Sequence, residues 1–338
     1  MTQLQLGIVQ PLPWFGKRAL AHSVARLGAE ASAEALAEAG LALRRDVARG
    51  WWTLFYLDRA LAVVEQNLQR LREFNQIAQS RYRVGEGLQQ DALQAQLELS
   101  TQLELRLQLQ GQRRVAEAQL NALLAQPAEQ PIQLADPGPI SLGLLPPVAT
   151  LIDRALRDRP RLRQQQQLLL DAADEQQALA RKGLYPDMTL GAAYGYRQDA
   201  PNGSSRADLL SVTLGIKLPL YAASKQQREI DQRGAERIAQ QQALYDAQLT
   251  VRREVVQADS DYQRAREQAA LLQQGLLPQA QQTVASMLSG YQVGKVSFNT
   301  LIRAQLQVNR FQLQYWQALR DAQQARATLS AALAALDE

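Results

Sequence analysis

The sequence has no cysteine, one histidine (His22) and few aromatic residues. It therefore offers no His/Cys metal cage, no cysteine nucleophile and no disulfide framework. Aromatic residues are 6% of the chain but hydrophobic residues are 46%, and the excess is carried by Ala and Leu, with much Gln. This composition is typical of long packed helices. Asp and Glu are frequent, but no Gly-rich turn or mixed set of catalytic residue types accompanies them, so we expect no enzyme and no cofactor.

Basic residues exceed acidic ones only slightly, with 37 Lys and Arg against 33 Asp and Glu. The charges alternate along the chain instead of clustering, which indicates solvated helical faces and not a nucleic-acid surface. Residues 1–10 lack the basic head, apolar run and cleavage site of a secretion signal. No stretch approaches the roughly 18 apolar residues of a membrane helix. At face value these absences indicate a cytosolic protein, unless the chain lacks its true N-terminus.

The chain contains an internal duplication. Residues Leu6–Leu12 match Leu214–Leu220 at an offset of 208, Tyr82–Gly85 match Tyr291–Gly294 at 209, and Ala95–Leu97 match Ala304–Leu306 at 209. Landmarks that keep register over this distance predict two copies of one structural unit. We expect the first copy to lack its opening.

Each copy predicts a short strand followed by a very long helical hairpin. About 70 residues of helix formers give a helix near 100 Å long, at roughly 1.5 Å per residue. It ends at a Tyr-x-Val-Gly tip, where glycine supplies a left-handed cap, and about 40 residues run back. Residues 103–109 alternate like a strand, but their neighbours favour a helix with two apolar stripes. Pro278 is expected to kink the second long helix without ending it.

The organisation follows from these elements. Residues 1–125 form the first repeat, and 126–158 a proline-rich connector with a short helix at about 148–158. Residues 159–338 form the second repeat, with a helix at about 161–183, a β-hairpin at 186–220 and a long helical hairpin at 222–337. The predicted fold class is mainly α with a small antiparallel β part.

The β-hairpin alternates completely along both strands. Its apolar face carries Met188, Leu190, Ala192, Tyr194 and Tyr196, with Leu210, Val212, Leu214, Ile216 and Leu218. The opposite face carries small or polar residues, of which Thr189, Arg197, Ser211, Thr213 and Lys217 would line a lumen. A soluble hairpin covered by helices on one face fits the same pattern. Three strands between such long helices favour a membrane barrel instead, and because lipid cannot satisfy an open edge, closure needs several chains.

Several motifs together resemble those of the outer-membrane efflux channels, the TolC-like exit ducts of Gram-negative bacteria. They are the duplication, the two tips (Tyr82 to Leu97 and Tyr291 to Leu306), Ala155–Pro160, Leu184–Asp187 and Leu277–Ala280. The resemblance covers nearly the whole chain. It implies a homotrimer with a 12-stranded barrel in outer-membrane lipid and an α-helical tube in the periplasm, docked onto a periplasmic adaptor and an inner-membrane pump.

The family pattern also predicts which segments are missing from this sequence. Family members have four strands per protomer, so a first strand, its preceding helix and the signal peptide are expected to be missing from an N-terminally truncated chain. Whether three strands per chain close a barrel stays open. Gln10–Arg18 resembles the strand-to-helix turn of the heavy-metal efflux branch, so metal ions, drugs, solvents and other small molecules stay open as cargo.

The tips carry the candidate functional residues. Tyr82, Val84, Gly85, Tyr291, Val293 and Gly294 are turn residues that an adaptor would also contact. Asp91 falls on a family aspartate of the closed-state charge network, and Thr300 and Arg303 stand where some members have a pair of aspartates. Asp91 and Arg303 would set an aperture gate, or be solvated helix-end charges of little consequence. The predicted function is a passive exit duct for small molecules or metal ions. The alternative is a periplasmic or soluble coiled-coil scaffold or adaptor without channel activity.

Overall fold

The computed structural model describes residues 3–200 and 203–335, and within them it is mainly helical with one small sheet. The strands are β1 (Gln3–Leu12), β2 (Asp187–Arg197) and β3 (Leu209–Lys217). The helices are α1 (Lys17–Arg83), α2 (Gln89–Leu123), α3 (Val148–Asp158), α4 (Pro160–Gln164), α5 (Ala172–Lys182), α6 (Gln227–Leu271), α7 (Leu277–Gln292) and α8 (Phe298–Ala332). Short π-helical segments join α4 to α5 and α6 to α7, and another precedes α6. The predicted fold class is confirmed, while residues 336–337 of the predicted second hairpin lie outside the described residues.

The duplication is visible in the backbone. Helices α2 and α8 both have 35 residues, and both their ends are 209 positions apart. Gly85 and Gly294, at the two tips, have φ of 78° and 76°, and Ala125 and Ala334, just after the returning helices, have φ of 55° and 50°. The tips need the left-handed conformation that glycine adopts without strain. The two copies therefore share their turns as well as their sequence landmarks.

Residues 103–109 lie inside α2, as predicted. Leu109 is buried in a cluster with Leu54 and Leu68 of α1, whereas Leu107 is 65% exposed. One of the two apolar stripes thus packs within the chain, and the other is free for a neighbour.

The second long helix continues through Pro278, as predicted. A π-helical turn over Leu272–Leu276 immediately precedes the segment that carries the proline. Proline has no N–H and its ring crowds the preceding turn, so the wider π turn is where the irregularity is accommodated.

The chain divides into two compact units that each draw on both repeats. One comprises Met1–Glu38 and Arg159–Thr250, and the other Ala39–Asp158 and Val251–Glu338. The first unit contains the antiparallel sheet in the order β1-β2-β3. It also contains a buried ion pair, in which Nη2 of Arg159 lies 2.8 Å from Oε1 of Glu38 and Arg159 is 6% exposed.

The second unit is a helical bundle with polar pairs in its interior. Gln305 of α8 donates to Oδ1 of Asn67 in α1 at 3.0 Å, and Asn309 donates to Oε1 of Gln102 in α2 at 3.3 Å. Buried amides of this kind fix the relative register of helices, because a shift would leave them unpaired. They tie α8 to both helices of the first hairpin.

The proline-rich connector is held against this bundle. Asn121 of α2 donates to the carbonyl of Gln130 at 2.7 Å, and Glu117 accepts from the amide of Ile132 at 2.6 Å. Further along, the Tyr262 hydroxyl of α6 donates to the carbonyl of Gly143 at 2.8 Å. The connector therefore contacts helices of both hairpins.

No helix in the described ranges combines the length and the apolar character needed to cross a membrane.

Candidate functional site

The two hairpin tips are built alike. In the first, the amides of Glu86 and Gly87 donate to the carbonyl of Arg81 at 2.9 and 3.0 Å. In the second, the amide of Lys295 donates to the carbonyl of Gly290 at 2.8 Å. These bonds close each turn after its long helix, so both tips present the residues around a left-handed glycine to solvent.

The tyrosines of the two tips differ in their exposure to solvent. Tyr82 is 48% exposed, whereas its repeat counterpart Tyr291 is 4% exposed. The Tyr291 hydroxyl donates to Oδ2 of Asp91 at 3.1 Å, and its ring lies 5.2 Å from that of Phe298. Tyr291 thus joins the second tip to the start of α2 in the first hairpin.

Arg81 makes a second link between the tips. Its Nη1 donates to the carbonyl of Tyr291, and its Nη2 donates to the carbonyl of Glu86 at 3.1 Å. Its guanidinium carbon lies 4.9 Å from the centre of the Tyr291 ring, a cation–π contact. One side chain therefore contacts a carbonyl in the last turn of α7, the aromatic ring of the same residue and its own turn.

Sequence reasoning missed Arg81. The signal was its repeat counterpart, since position 81 carries arginine where position 290 carries glycine. A Cβ at Gly290 would lie 2.6 Å from a methyl of Val296, so that tip has no room for a side chain at this position. A position at which the two copies differ thus identifies a residue that joins the tips, just as the positions at which they agree identify shared structure.

The environment of Tyr291 stabilises its neutral hydroxyl. Burial first, and the adjacent Asp91 carboxylate second, raise the pKa of Tyr291 to about 12, against a smaller lowering by Arg81. Tyr291 is accordingly a hydrogen-bond donor at neutral pH, and Asp91 is its acceptor.

The structure brings together only part of the predicted gate set. Asp91 contacts Tyr291, while Thr300 and Arg303 are exposed. The Thr300 hydroxyl lies 2.8 Å from Oγ of Ser297, which also caps the start of α8. Within residues 3–200 and 203–335, no ion pair of Arg303 is found. The gate role of these three residues stays a prediction.

A groove of about 480 Å³ lies between the tips and is lined by Arg81, Asp91, Tyr291 and Asn299, among others. The remaining predicted tip residues are surface groups: Val84 is 68% and Val293 67% exposed. In the described part of the chain, no three His, Cys, Asp or Glu side chains are grouped to hold a metal ion.

The sheet separates two faces along all three strands. Strand β2 pairs with β3 so that Thr189 faces Gly215, Gly191 faces Thr213 and Ala193 faces Ser211. Pairing with β1 sets Gly7 opposite Ala193. The predicted lumen residues therefore share one face of the sheet: Thr189, Arg197, Ser211, Thr213 and Lys217. Most side chains on this face are small or polar, and Val9 and Leu209 are the apolar exceptions.

The other face is apolar and uncovered. Leu6 and Ile8 of β1 are 68% and 79% exposed, and Leu210, Val212 and Leu214 of β3 are 76%, 73% and 65% exposed. Strands β1 and β3 are the two edges of this sheet. Exposing apolar surface to water costs about 25 cal/mol per Å². A face of this size therefore requires an apolar surrounding.

A model of the outer membrane efflux protein family matches residues 1–126 and 151–335. The chain belongs to the outer membrane efflux protein family. A comparison with curated proteins found no match.

Solved structures share the fold over almost the whole chain. VceC of Vibrio cholerae is 19% identical with a TM-score of 0.84, and the match covers 98% of this chain and 79% of that one. The open state of the MtrE outer membrane channel of Neisseria gonorrhoeae is 17% identical, with a TM-score of 0.79 and coverage of 98% and 80%. The CmeC outer membrane channel of Campylobacter jejuni is 12% identical, with a TM-score of 0.79 and coverage of 99% and 72%.

This efflux protein is thus an outer-membrane exit duct of efflux systems, as its motifs predicted. The family is one of channels and not of enzymes. Its place is the outer membrane, in contrast to the cytosolic location that the opening residues suggest at face value.

Proposed function

We propose that three copies of this chain form one passive duct, with the sheets closing a barrel in outer-membrane lipid and the helical hairpins forming a periplasmic tube. The observation that carries this proposal is the sheet, which has two open edges and an apolar face that the rest of the chain leaves largely exposed. Backbone groups at an edge cost several kcal/mol each if lipid leaves them unpaired. Edges of neighbouring copies satisfy them, and the apolar face then meets lipid.

The small and polar face of the sheet lines the passage in this arrangement. Thr189, Ser211 and Thr213 supply hydroxyls, and Arg197 and Lys217 supply cations near its two ends. A wide passage lined in this way holds water and lets solutes pass without a dedicated binding site. The cargo is small molecules or metal ions, and the energy comes from an inner-membrane pump.

The tips form the proposed contact with a periplasmic adaptor. Tyr82, Val84 and Val293 expose apolar surface at turns that are rigid because of their backbone hydrogen bonds. Exposed apolar side chains on a rigid turn suit a protein partner, since little conformational entropy is lost on docking. Gly85 and Gly294 shape these turns.

The contacts between the tips form the proposed gate. The Tyr291 hydroxyl, the Asp91 carboxylate and the Arg81 guanidinium join the first hairpin to the second, and rotation of the inner hairpins would have to break these bonds. Thr300 and Arg303 lie in the first two turns of α8 and face solvent, where charge would act on passing ions. Opening then costs the free energy of these bonds.

The proposal is tested by expressing the chain with an added export signal, separating inner from outer membranes and measuring mass under native conditions in detergent. A trimer in the outer-membrane fraction is expected. A soluble monomer or dimer would overturn the duct for this chain and favour the scaffold.

A further inference from the structure

The sheet of the first compact unit ends in an aromatic junction where its strands meet the helices. Trp14, two residues after β1, stacks on Tyr185, two residues before β2, with ring centres 5.4 Å apart and planes at 11°. Phe15 meets the Trp14 ring edge-on at 5.8 Å and is 77% exposed. After β3, Leu220 and Tyr221 are 81% and 76% exposed. Because the register sets Leu12, Met188 and Ile216 side by side, these side chains lie at one end of the sheet and form a band of aromatic and aliphatic groups there.

The backbone of this junction is fixed by one acidic group. Asp187 accepts from the amide of Trp14 at 2.9 Å and from Nζ of Lys17 at 2.7 Å. Lys17 is only 15% exposed, so its charge and that of Asp187 neutralise each other inside the turn. Lys217 lies opposite Asp187 in the strand register and also interacts with its charge, so this carboxylate already faces two cations.

Lys182 is a further cation at this junction. Its ammonium lies 5.5 Å from the centre of the Tyr185 ring, on the same aromatic stack. Within the described residues no ion pair to Lys182 is found, and the exposed Arg18 adds a further positive charge close to the turn in sequence. The junction therefore combines an amphipathic aromatic stack with positive charge that no carboxylate of the turn offsets.

Aromatic residues collect at the two boundaries of a membrane barrel, where one side of the ring meets hydrocarbon and the other meets headgroups. Cations in this layer attract anionic lipid, and a lysine stem extends so that its ammonium reaches the phosphate level. The helices begin at this end of the sheet, so its headgroups belong to the leaflet on the side of the helical hairpins.

We propose that this junction binds a phospholipid, with the phosphate at the Lys182 ammonium and the glycerol and upper acyl chain against the Trp14–Tyr185 stack. The site rests on the proposed barrel, because only an inserted trimer places it at a membrane surface. The occupant is an intact lipid and not a free anion, since the exposed apolar band around the ammonium would otherwise remain in water.

Native mass spectrometry of the detergent-solubilised trimer tests the headgroup contact. The trimer is exposed to dioleoylphosphatidylglycerol or dioleoylphosphatidylcholine, and retained lipid is counted for wild type and Lys182→Gln. The matched control is Lys217→Gln, since Lys217 pairs with Asp187 at the same height but on the polar face of the sheet. We expect Lys182→Gln to lower retention of phosphatidylglycerol about fivefold, and the control to leave it unchanged. Equal retention in all three proteins, or displacement of the lipid by inorganic phosphate alone, would overturn the proposal.

The fluorescence of Trp14 tests the depth of the junction. The trimer is reconstituted into vesicles whose lipids carry a nitroxide at the headgroup or near the chain end, and the difference between wild type and Trp14→Phe isolates Trp14. Stronger quenching by the headgroup label is expected. A trimer that inserts but whose Trp14 is quenched by neither label would refute the lipid site and leave the duct intact, whereas failure to insert would refute the duct.

Discussion

A charge placed on the apolar face of β3 should prevent barrel formation, whereas the same charge one residue away should not. The matched pair is Val212→Lys and Thr213→Lys, because successive residues of a strand point to opposite faces. Val212 is 73% exposed on the apolar face, and Thr213 lies opposite Gly191 on the polar face.

The magnitude follows from the position in the strand. Val212 is the fourth residue of β3, so it lies about 10 Å along the strand at roughly 3.3 Å per residue. This is near the middle of an apolar band about 25 Å tall, where a lysine on the lipid face costs about 2–4 kcal/mol. Three copies give about 6–12 kcal/mol per trimer, against roughly 1.4 kcal/mol for each tenfold change in an equilibrium.

Reversible unfolding in urea from lipid vesicles, followed by the fraction of trimer on native gels, measures this difference. The trimer of Val212→Lys should be lost and that of Thr213→Lys should be retained, with a small change in its midpoint. If both variants retained the trimer equally, the apolar face would not contact lipid and the reasoning would be wrong. If both lost it equally, the faces would not be distinguished as the register requires.

Three further outcomes follow from the contacts described. Tyr291→Phe removes one hydrogen bond worth about 1 kcal/mol and should raise the open fraction of the duct about fivefold in planar-bilayer recordings, whereas its repeat counterpart Tyr82→Phe should leave conductance unchanged. The difference titration of tyrosine absorbance between wild type and Tyr291→Phe should have its midpoint near pH 12, and a midpoint near pH 10 would contradict the burial. Because the pKa of Tyr291 is higher in the folded state than in the unfolded state, its contribution to stability is complete below pH 10 and is lost as the pH rises through 12. Glu38→Gln removes a carboxylate from the buried Arg159 and should lower the free energy of unfolding by up to about 3–5 kcal/mol. Glu30→Gln, in an exposed pair, should change it by about 0–1 kcal/mol, and similar losses for the two variants in urea titrations would refute the assignment.

The architecture was predictable because its causes are local and periodic. Long breaker-free runs, a Tyr-x-Val-Gly tip repeated at an offset of 209 and strict alternation at 209–218 each specify one element. Even the strand-like alternation of residues 103–109 was correctly interpreted as helix, since the segment contains no β-branched residue and lies among Gln, Glu, Ala and Leu. The two faces of the sheet were predicted from the alternation of odd and even positions alone, and the observed strand register agrees with that assignment.

The tip contacts were not predictable in the same way. Tyr82 and Tyr291 occupy equivalent positions, and only the neighbouring hairpin decides that one is exposed and the other buried. The bond from Tyr291 to Asp91 joins residues 200 positions apart, and no periodicity marks it. Arg81 looked like one more basic residue at a helix end, because its role depends on the glycine at position 290 that leaves the other tip without an equivalent group.

The two open edges of the sheet make the stability of this protein a collective property. A lone chain entering the membrane would carry unpaired backbone groups along both β1 and β3 into hydrocarbon, so insertion and association have to occur as one step. The rate of that step depends on the concentration of chains and not on the chain alone. Before it, each copy exposes an apolar sheet in water, which is the situation in which edge strands pair wrongly and aggregate. If the proposed trimer forms, folding in the cell therefore depends on holding single chains apart until three can close together.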